Sequence, residues 1–277
     1  MVAEFAGLNL SVPIVMGILN VTPDSFSDGG DLSNIDIIQR RAEEFCRAGA
    51  KILDIGGEST RPGASAPSIE DEINRVVPAI AAVHEIANQY GVKISIDTRR
   101  QPVMQAAVES GADIINDVSA LETDAAALPF IAAQQLPVIL CHMQGTPADM
   151  QHQPHYENVV QEIYDYFTAR IAVCETAGLK RDKICIDPGI GFGKTLAHNI
   201  AILQNLSEFK KLDVPLLVGL SRKRMIADIT GEQNPKARLG GSIAGAVFAA
   251  QQGANIIRVH DVKETCQSLA VFHALVG

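Results

Sequence analysis

The chain has 277 residues, is 47% hydrophobic and carries a net charge of -9. That length can bury a large core in one domain, and no apolar stretch approaches the ~18 residues that would suggest a membrane partner. An acidic balance with scattered Lys and Arg would repel a nucleic-acid backbone, so no nucleic-acid partner is expected either.

Met1–Leu10 contains Glu4 and no basic residue, unlike a secretory signal. The cysteines Cys46, Cys141, Cys174, Cys185 and Cys266 are odd in number and far apart, with no CxxC and no His at zinc spacing. They read as small buried hydrophobes in a reducing compartment, so the expected location is cytoplasmic.

Short β-branched runs recur along the chain: Pro13–Leu19, Lys51–Ile55, Lys93–Ile96, Asp113–Asn116, Pro137–Cys141, Lys183–Ile186, Pro215–Gly219 and Asn255–Val259. Between them lie segments at helical spacing, among them Ile69–Tyr90, Tyr156–Ala177, Leu196–Leu212 and Arg238–Gln252. Ser68 with Asp71 has the form of a helix start, and Gly91, Gly111, Gly178 and Gly253 stand where helices stop. Such alternation with near-continuous apolar strands predicts a parallel sheet buried on both faces. Eight such units in about the ~250 residues of a closed barrel favour an α/β fold of the (β/α)₈ TIM-barrel class as a single domain. An open doubly wound sheet is the alternative, because periodicity alone does not show closure.

In a barrel the reactive groups stand where strands end. Those ends carry Asn20; Asp54 and Glu58; Asp97; Asn116 and Asp117; His142; Asp187; Ser221, Arg222 and Lys223; Arg258, His260 and Asp261. Taken alone, Asp54, Asp117 and Asp261 read first as caps or loop braces. His142 reads as a hydrogen-bonded pocket wall, and His152 and His155 as solvated loop residues. No metal cluster emerges from the seven histidines. The run from Asp187 to Thr195 is not a phosphate loop, since position 188 is Pro where that motif needs Gly. It reads as a Gly-rich strand-to-helix turn in which Lys194 has no special role. Lys223, Arg258 and His260 come from the last two strands, where barrels often build phosphate sites; with Arg61 they form a basic patch on an acidic protein. An anionic, phosphorylated substrate is expected.

The segments Asn20–Gly30 (NVTPDSFSDGG), Asp54–Ala64 (DIGGESTRPGA), Ser95–Thr98, Ile115–Ala120, Asp187–Lys194, Gly219–Lys223 and Ile256–Thr265 together resemble the dihydropteroate synthase family of pterin-binding enzymes. The likeness runs in order from near Pro13 to the last helix, and its first two motifs are long and specific. It implies one barrel domain over residues 1–277, with a core at about 13–275. It implies a transferase that joins a dihydropterin methyl diphosphate to 4-aminobenzoate, releasing diphosphate, on the folate pathway.

By the same resemblance, Asp97, Asn116, Asp187 and Lys223 hold the pterin. Arg258 and His260 bind the diphosphate, and Asn20 helps to hold Mg²⁺, with Asp28 a second candidate near the metal. Phe26, Thr60, Arg61, Pro62 and Phe192 line the aminobenzoate pocket, and Arg61, Asp97, Lys223, Arg258 and His260 form the catalytic set. The pairing follows from the ligand: an aminopyrimidinone edge offers paired donors to a carboxylate and a carbonyl to an ammonium. Without the motif, Pro62-Gly63 is an ordinary turn and Phe26 an anchor for its own loop.

Arg224 departs from the family pattern, which carries Ser there; its backbone N–H at a helix start can still meet a carboxylate, and whether its guanidinium joins is open. A barrel passing a methyl group from a folate to a corrinoid would lack the SFSDGG and ESTRPGA loops, and an idle pterin-binding barrel would have lost Asn20, Arg258 or His260. The family is usually a homodimer through its later helices, and the Ala and Val residues of Ser242–Gln252 are compatible with that packing as well as with burial against the barrel.

Overall fold

The structure is a computed structural model that describes residues 4–22, 31–58, 66–146 and 150–276, with residues 31–34 described by backbone alone. Two short strands, β1 (Glu4–Phe5) and β2 (Leu8–Asn9), form an antiparallel hairpin. Eight strands then follow in parallel: β3 (Ile14–Asn20), β4 (Ile52–Gly56), β5 (Lys93–Asp97), β6 (Ile114–Asp117), β7 (Val138–Cys141), β8 (Ile184–Asp187), β9 (Leu217–Val218) and β10 (Ile256–Val259). The neighbour order runs β8-β7-β6-β5-β4-β3-β10-β9. A parallel bridge between Ile186 and Leu216, with Ile186 N–H donating to Pro215 O at 2.9 Å, joins the two ends. The sheet is thereby a closed barrel, and the open-sheet alternative falls.

Helices fill the crossovers: α1 (Asp31–Ala48), α2 (Ile69–Tyr90), α3 (Gln101–Glu109), α4 (Ala127–Gln134), α5 (Val159–Thr176), α6 (Leu196–Gln204), α7 (Leu206–Phe209), α8 (Arg224–Thr230), α9 (Leu239–Gln251) and α10 (Val262–Val276). The start of α2 is fixed locally. Ser68 is extended and its hydroxyl accepts from Asp71 N–H at 3.0 Å, while Glu70, Asp71 and Glu72 place negative charge against the positive end of the helix. At its other end Gly91 takes the left-handed conformation that stops the helix.

The strands read as apolar runs because both of their faces are buried. Outward residues such as Leu53, Ile55, Ile94, Ile96, Leu140 and Ile186 join the helices in one large core. Inward residues form a second cluster: Ile14, Met16, Ile52, Ile114, Ile139, Cys185, Leu217 and Ile256. Phe5, Leu8 and Leu10 belong to that inner cluster, so the hairpin plugs the N-terminal end of the barrel with hydrocarbon. One pleat further along the same strands the inward residues turn polar: Ile52 gives way to Asp54, Ile114 to Asn116, Cys185 to Asp187 and Ile256 to Arg258. A dry floor therefore lies directly under a polar mouth.

Two sequence expectations need correction. The segment expected as one helix over Leu196–Leu212 is α6, α7 and a 3-10 turn over Lys210–Leu212. Asn205 breaks it: its amide leaves the helical pattern and its Nδ2 donates to Ala201 O at 2.8 Å. The hairpin was not foreseen, because two-residue strands carry no periodicity to detect.

Phe5 is 1% exposed. Phe5→Ala is expected to cost about 3–5 kcal/mol through the cavity it leaves, read as a lower urea midpoint at unchanged slope. A shift under about 1 kcal/mol would mean the plug is dispensable.

Candidate active site

The centre of the mouth is an ionic network reaching across the barrel. Arg258 on β10 donates from Nε to Asp54 Oδ2 at 2.6 Å and from Nη2 to Asp97 Oδ2 at 2.8 Å. Asn116 on β6 donates from Nδ2 to Asp54 Oδ2 at 3.2 Å. Asp54 is fully buried, and its partners approach from strands far away in sequence. Asp54 is thus no helix cap or loop brace, in contrast to the reading from sequence; it anchors Arg258 and Asn116.

Burial raises the Asp97 carboxyl to about 7, opposed by the Arg258 guanidinium and aided by repulsion from Asp54 and Asp117. For Arg258, burial opposes the charge, but Asp54 and Asp97 outweigh it and the net shift is upward.

Asp187 ends β8, and its Oδ1 accepts from Gly189 N–H at 2.8 Å. Desolvation raises its pKa, and Lys223 pulls it back. The Lys223 ammonium donates to Ile190 O and stands 4.4 Å from the centroid of the Phe192 ring. Burial lowers its pKa while Asp187 holds it up. Between Asp187 and α6 the Gly-rich run is the strand-to-helix turn expected from sequence. Gly189 and Gly193 have φ of 69° and 61°, and a Cβ there would stand 1.9 Å from His142 O and 2.4 Å from Gln144 O. No other residue fits either place.

Lys223 is aimed by the residue before it. Arg222 has φ of 60°, a strained value for a side-chain-bearing residue. It is held there by Nε donating to Asp261 Oδ2 at 3.0 Å, by its N–H to Ser242 Oγ at 3.0 Å and by Arg238 Nη1 donating to its carbonyl at 2.8 Å. Asp261 accordingly braces a loop, and so does Asp117, which accepts from Ser119 N–H, Ser119 Oγ and Leu121 N–H. Both agree with the sequence reading. Arg224 starts α8 with its side chain 90% exposed and its Nε 3.5 Å from Asp228 one turn along the same helix.

His260 follows β10. Its N–H donates to Ser221 Oγ at 3.2 Å, and its Nδ1 lies 3.1 Å from the same oxygen. Desolvation first, then Arg222 and Arg258, lower its pKa to about 3, so the ring is neutral at pH 7. Asn20 is exposed at the end of β3, separated from Asp97 by Gly56 in the strand register. His142 is buried behind the mouth, hydrogen-bonded as expected, with its Nδ1 3.0 Å from Lys194 Nζ.

The structure therefore brings Asn20, Asp97, Asn116, Asp187, Lys223, Arg258 and His260 to one end of the barrel, with Phe192 against Lys223. Phe26, Asp28, Thr60, Arg61 and Pro62 lie outside the described residues. Sequence reasoning missed the roles of Asp54, Ser221 and Lys194. For Asp54 a signal existed: a carboxylate inside the apolar run ILDIG has to be paired.

A closed α/β barrel with carboxylates, an amide and cations at the C-terminal ends of its strands has the architecture of a small-molecule enzyme. The profile of the family described as pterin binding enzyme matches residues 16–260. Dihydropteroate synthase of Escherichia coli K12 is 49% identical over 98% of this chain and 95% of its own length. The Xanthomonas albilineans dihydropteroate synthase solved with 4-aminobenzoic acid superposes with a TM-score of 0.91 at 45% identity, covering 98% of this chain and 97% of that one. A structure of the same organism's enzyme with 7,8-dihydropteroate gives 0.87 at 41% identity, covering 98% and 96%. The chain belongs to the dihydropteroate synthase family of pterin-binding enzymes.

With Asp97 titrating near 7, pH selects between a mouth carboxylate that only accepts and a carboxyl that also donates. Affinity for a dihydropterin is expected to rise as pH goes from 6 to 8, and Asp97→Asn to flatten that rise. Calorimetric titrations across that range check it; equal slopes in the two proteins would remove Asp97 as the cause.

Proposed function

We propose that the mouth holds a dihydropterin methyl diphosphate with its ring toward Asp187, Asn116, Asp97 and Lys223 and its diphosphate toward Arg258 and His260. The reaction joins the pterin methylene to the nitrogen of 4-aminobenzoate and releases diphosphate, yielding 7,8-dihydropteroate. The observation that carries the assignment of roles is the convergence of Asp97, Asn116, Asp187 and Lys223 on one mouth above a dry floor. Asp187 accepts paired donors of the aminopyrimidinone, Lys223 donates to its carbonyl, and Asn116 serves either kind of group.

The route is dissociative. The C–O bond breaks first and its electron pair leaves with the diphosphate, while the dihydropterin ring spreads the positive charge left on the methylene. The aniline nitrogen then attacks with its lone pair and loses its proton after the C–N bond forms, so no strong base is needed. Arg258, fixed by Asp54 and Asp97 on Nε and Nη2, has no bond from Nη1 to a described residue, and that nitrogen would meet charge growing on the leaving group. The loops of residues 22–30 and 59–68 would exclude water until the amine arrives. Phe26, Thr60, Arg61, Pro62 and Phe192 would line the aminobenzoate pocket.

Mg²⁺ fits this site in its donor chemistry. Asn20 offers a hard oxygen at the mouth and makes no side-chain hydrogen bond to a described residue. Among the described residues no three His, Cys, Asp or Glu form a metal cage, and Mg²⁺ commonly takes few protein ligands alongside substrate phosphates. Asn20 and Asp28 would hold it, and it would supply neutralisation of the diphosphate oxygens.

We place residues 1–277 in one functional barrel domain with its core at about 13–275, the hairpin residues Phe5, Leu8 and Leu10 packing into the barrel floor. A homodimer is supported by Ile229, Leu239, Phe248 and Val271, which are exposed on α8, α9 and α10. Among the described residues no helix is long and apolar enough to cross a membrane, and five free cysteines accord with a cytoplasmic location.

The test follows diphosphate and dihydropteroate together in the presence of both substrates and Mg²⁺. Equal formation of the two products is expected, with Asp187→Ala and Arg258→Ala each lowering kcat/KM by at least about 10²-fold. Pterin binding without turnover would point instead to an idle pterin-binding barrel.

A further inference from the structure

Four consecutive carbonyls of the Gly-rich turn are each capped by a different side chain. Ile190 O accepts from Lys223 Nζ, Gly191 O from Gln151 Nε2 at 2.7 Å, Phe192 O from Lys194 Nζ at 2.9 Å and Gly193 O from the Tyr156 hydroxyl at 3.1 Å. A flexible turn of three glycines is thereby held in one shape, and Phe192 is the one large side chain it presents beside Lys223.

Lys194 differs from the other three donors. It is 3% exposed, and its ammonium also lies 3.2 Å from His142 O and 3.0 Å from His142 Nδ1. It thus ties the turn to the residue that follows β7, whose N–H in turn donates to Asp187 O at 2.9 Å. Taking an ammonium out of water is costly, and an apolar residue of that size would fill the space at lower cost. Burial lowers its pKa to about 7, so what this side chain supplies here is reach and several N–H donors converging on acceptors of two separate elements.

We propose that Lys194 is a positioning residue that fixes the Phe192 ring for the aromatic amine substrate. The inference rests on the placing of Phe192 in the aminobenzoate pocket. Losing the Lys194 amine frees Phe192 O and lets residues 190–193 relax, while Asp187 stays fixed by the strand pairing of β8 and by Gly189 N–H. The effect should therefore separate the two substrates.

The experiment is steady-state kinetics on Lys194→Met, Phe192→Ala and the double variant, with thermal melts to establish folding. For Lys194→Met, KM for 4-aminobenzoate is expected to rise roughly tenfold, the scale of one lost buried hydrogen bond, while KM for the pterin diphosphate changes less than about twofold. In the Phe192→Ala background the same substitution should add nothing to the aminobenzoate KM. Should Lys194→Met fail to fold, Lys194→Gln keeps an amide donor with too little reach for both carbonyls and is expected to give the same split. Equal rises in both KM values, unchanged KM values with a lower kcat, or a full additive effect in the Phe192→Ala background would overturn the proposal. If Phe192→Ala itself leaves the aminobenzoate KM unchanged, the placing of Phe192 is what fails, and the proposal falls with it.

Discussion

One guanidinium holds the mouth of this barrel together. Arg258 bonds Asp54 and Asp97 across 204 and 161 residues of sequence, so the network forms only once β10 has closed beside β3 and carried it over the mouth. Closure and site assembly are one event. The network in turn demands closure, because Asp54 is wholly buried and an unpaired carboxylate there would cost several kcal/mol. The hydrocarbon floor beneath it keeps water from sharing the load, which is why Asp97 holds its proton toward neutral pH.

The opposite wall is built by other means. Around Asp187 and Lys223 the chain relies on backbone geometry: a turn in which Gly189 and Gly193 pass too close to carbonyls for any side chain, and Arg222 in the left-handed region before Lys223. Such conformations persist only when surrounding bonds over-determine them. The Arg222–Asp261 pair, the Arg238 contact and the side chains capping the turn supply those bonds. One side of the mouth is thus set by charge pairing and the other by constrained backbone, and a pterin ring between them would meet a rigid frame on both sides.

Much of this was legible in the sequence. Eight apolar runs with polar ends gave the barrel strands to within two residues, and Ser68 with Asp71 marked a helix start that the structure reproduces. Each of those signals is local. Asp54 was read as a cap because its decisive partner lies on the last strand, and pairing over such a span leaves no mark in the spacing. Lys194 shows no role in sequence because its neighbours suggest a phosphate loop and then fail that pattern; its remote partner, His142, meets it only through folding. The barrel plug escaped notice for another reason: Phe5 and Leu8 act through burial, and an isolated pair of apolar residues is uninformative until something covers them.

The resting charge of the mouth bears on how it receives an anion. Asp54, Asp97 and Asp187 oppose Lys223 and Arg258 there, and His260 is neutral. Described side chains alone therefore leave the mouth near neutral or slightly negative, which suits a pterin and does little to attract a diphosphate. The compensation has to arrive with the substrate or from groups recruited by it. His260 is one such group: its pKa is low because of desolvation and two neighbouring guanidinium groups, and a diphosphate beside it would counter the second cause. Arg258 is another, since its attachment to Asp97 weakens as Asp97 takes a proton. On the proposed dissociative route, a mouth poised in this way would bind the leaving group most strongly when its charge is greatest, after the C–O bond has broken, and that difference between ground state and transition state would accelerate the step.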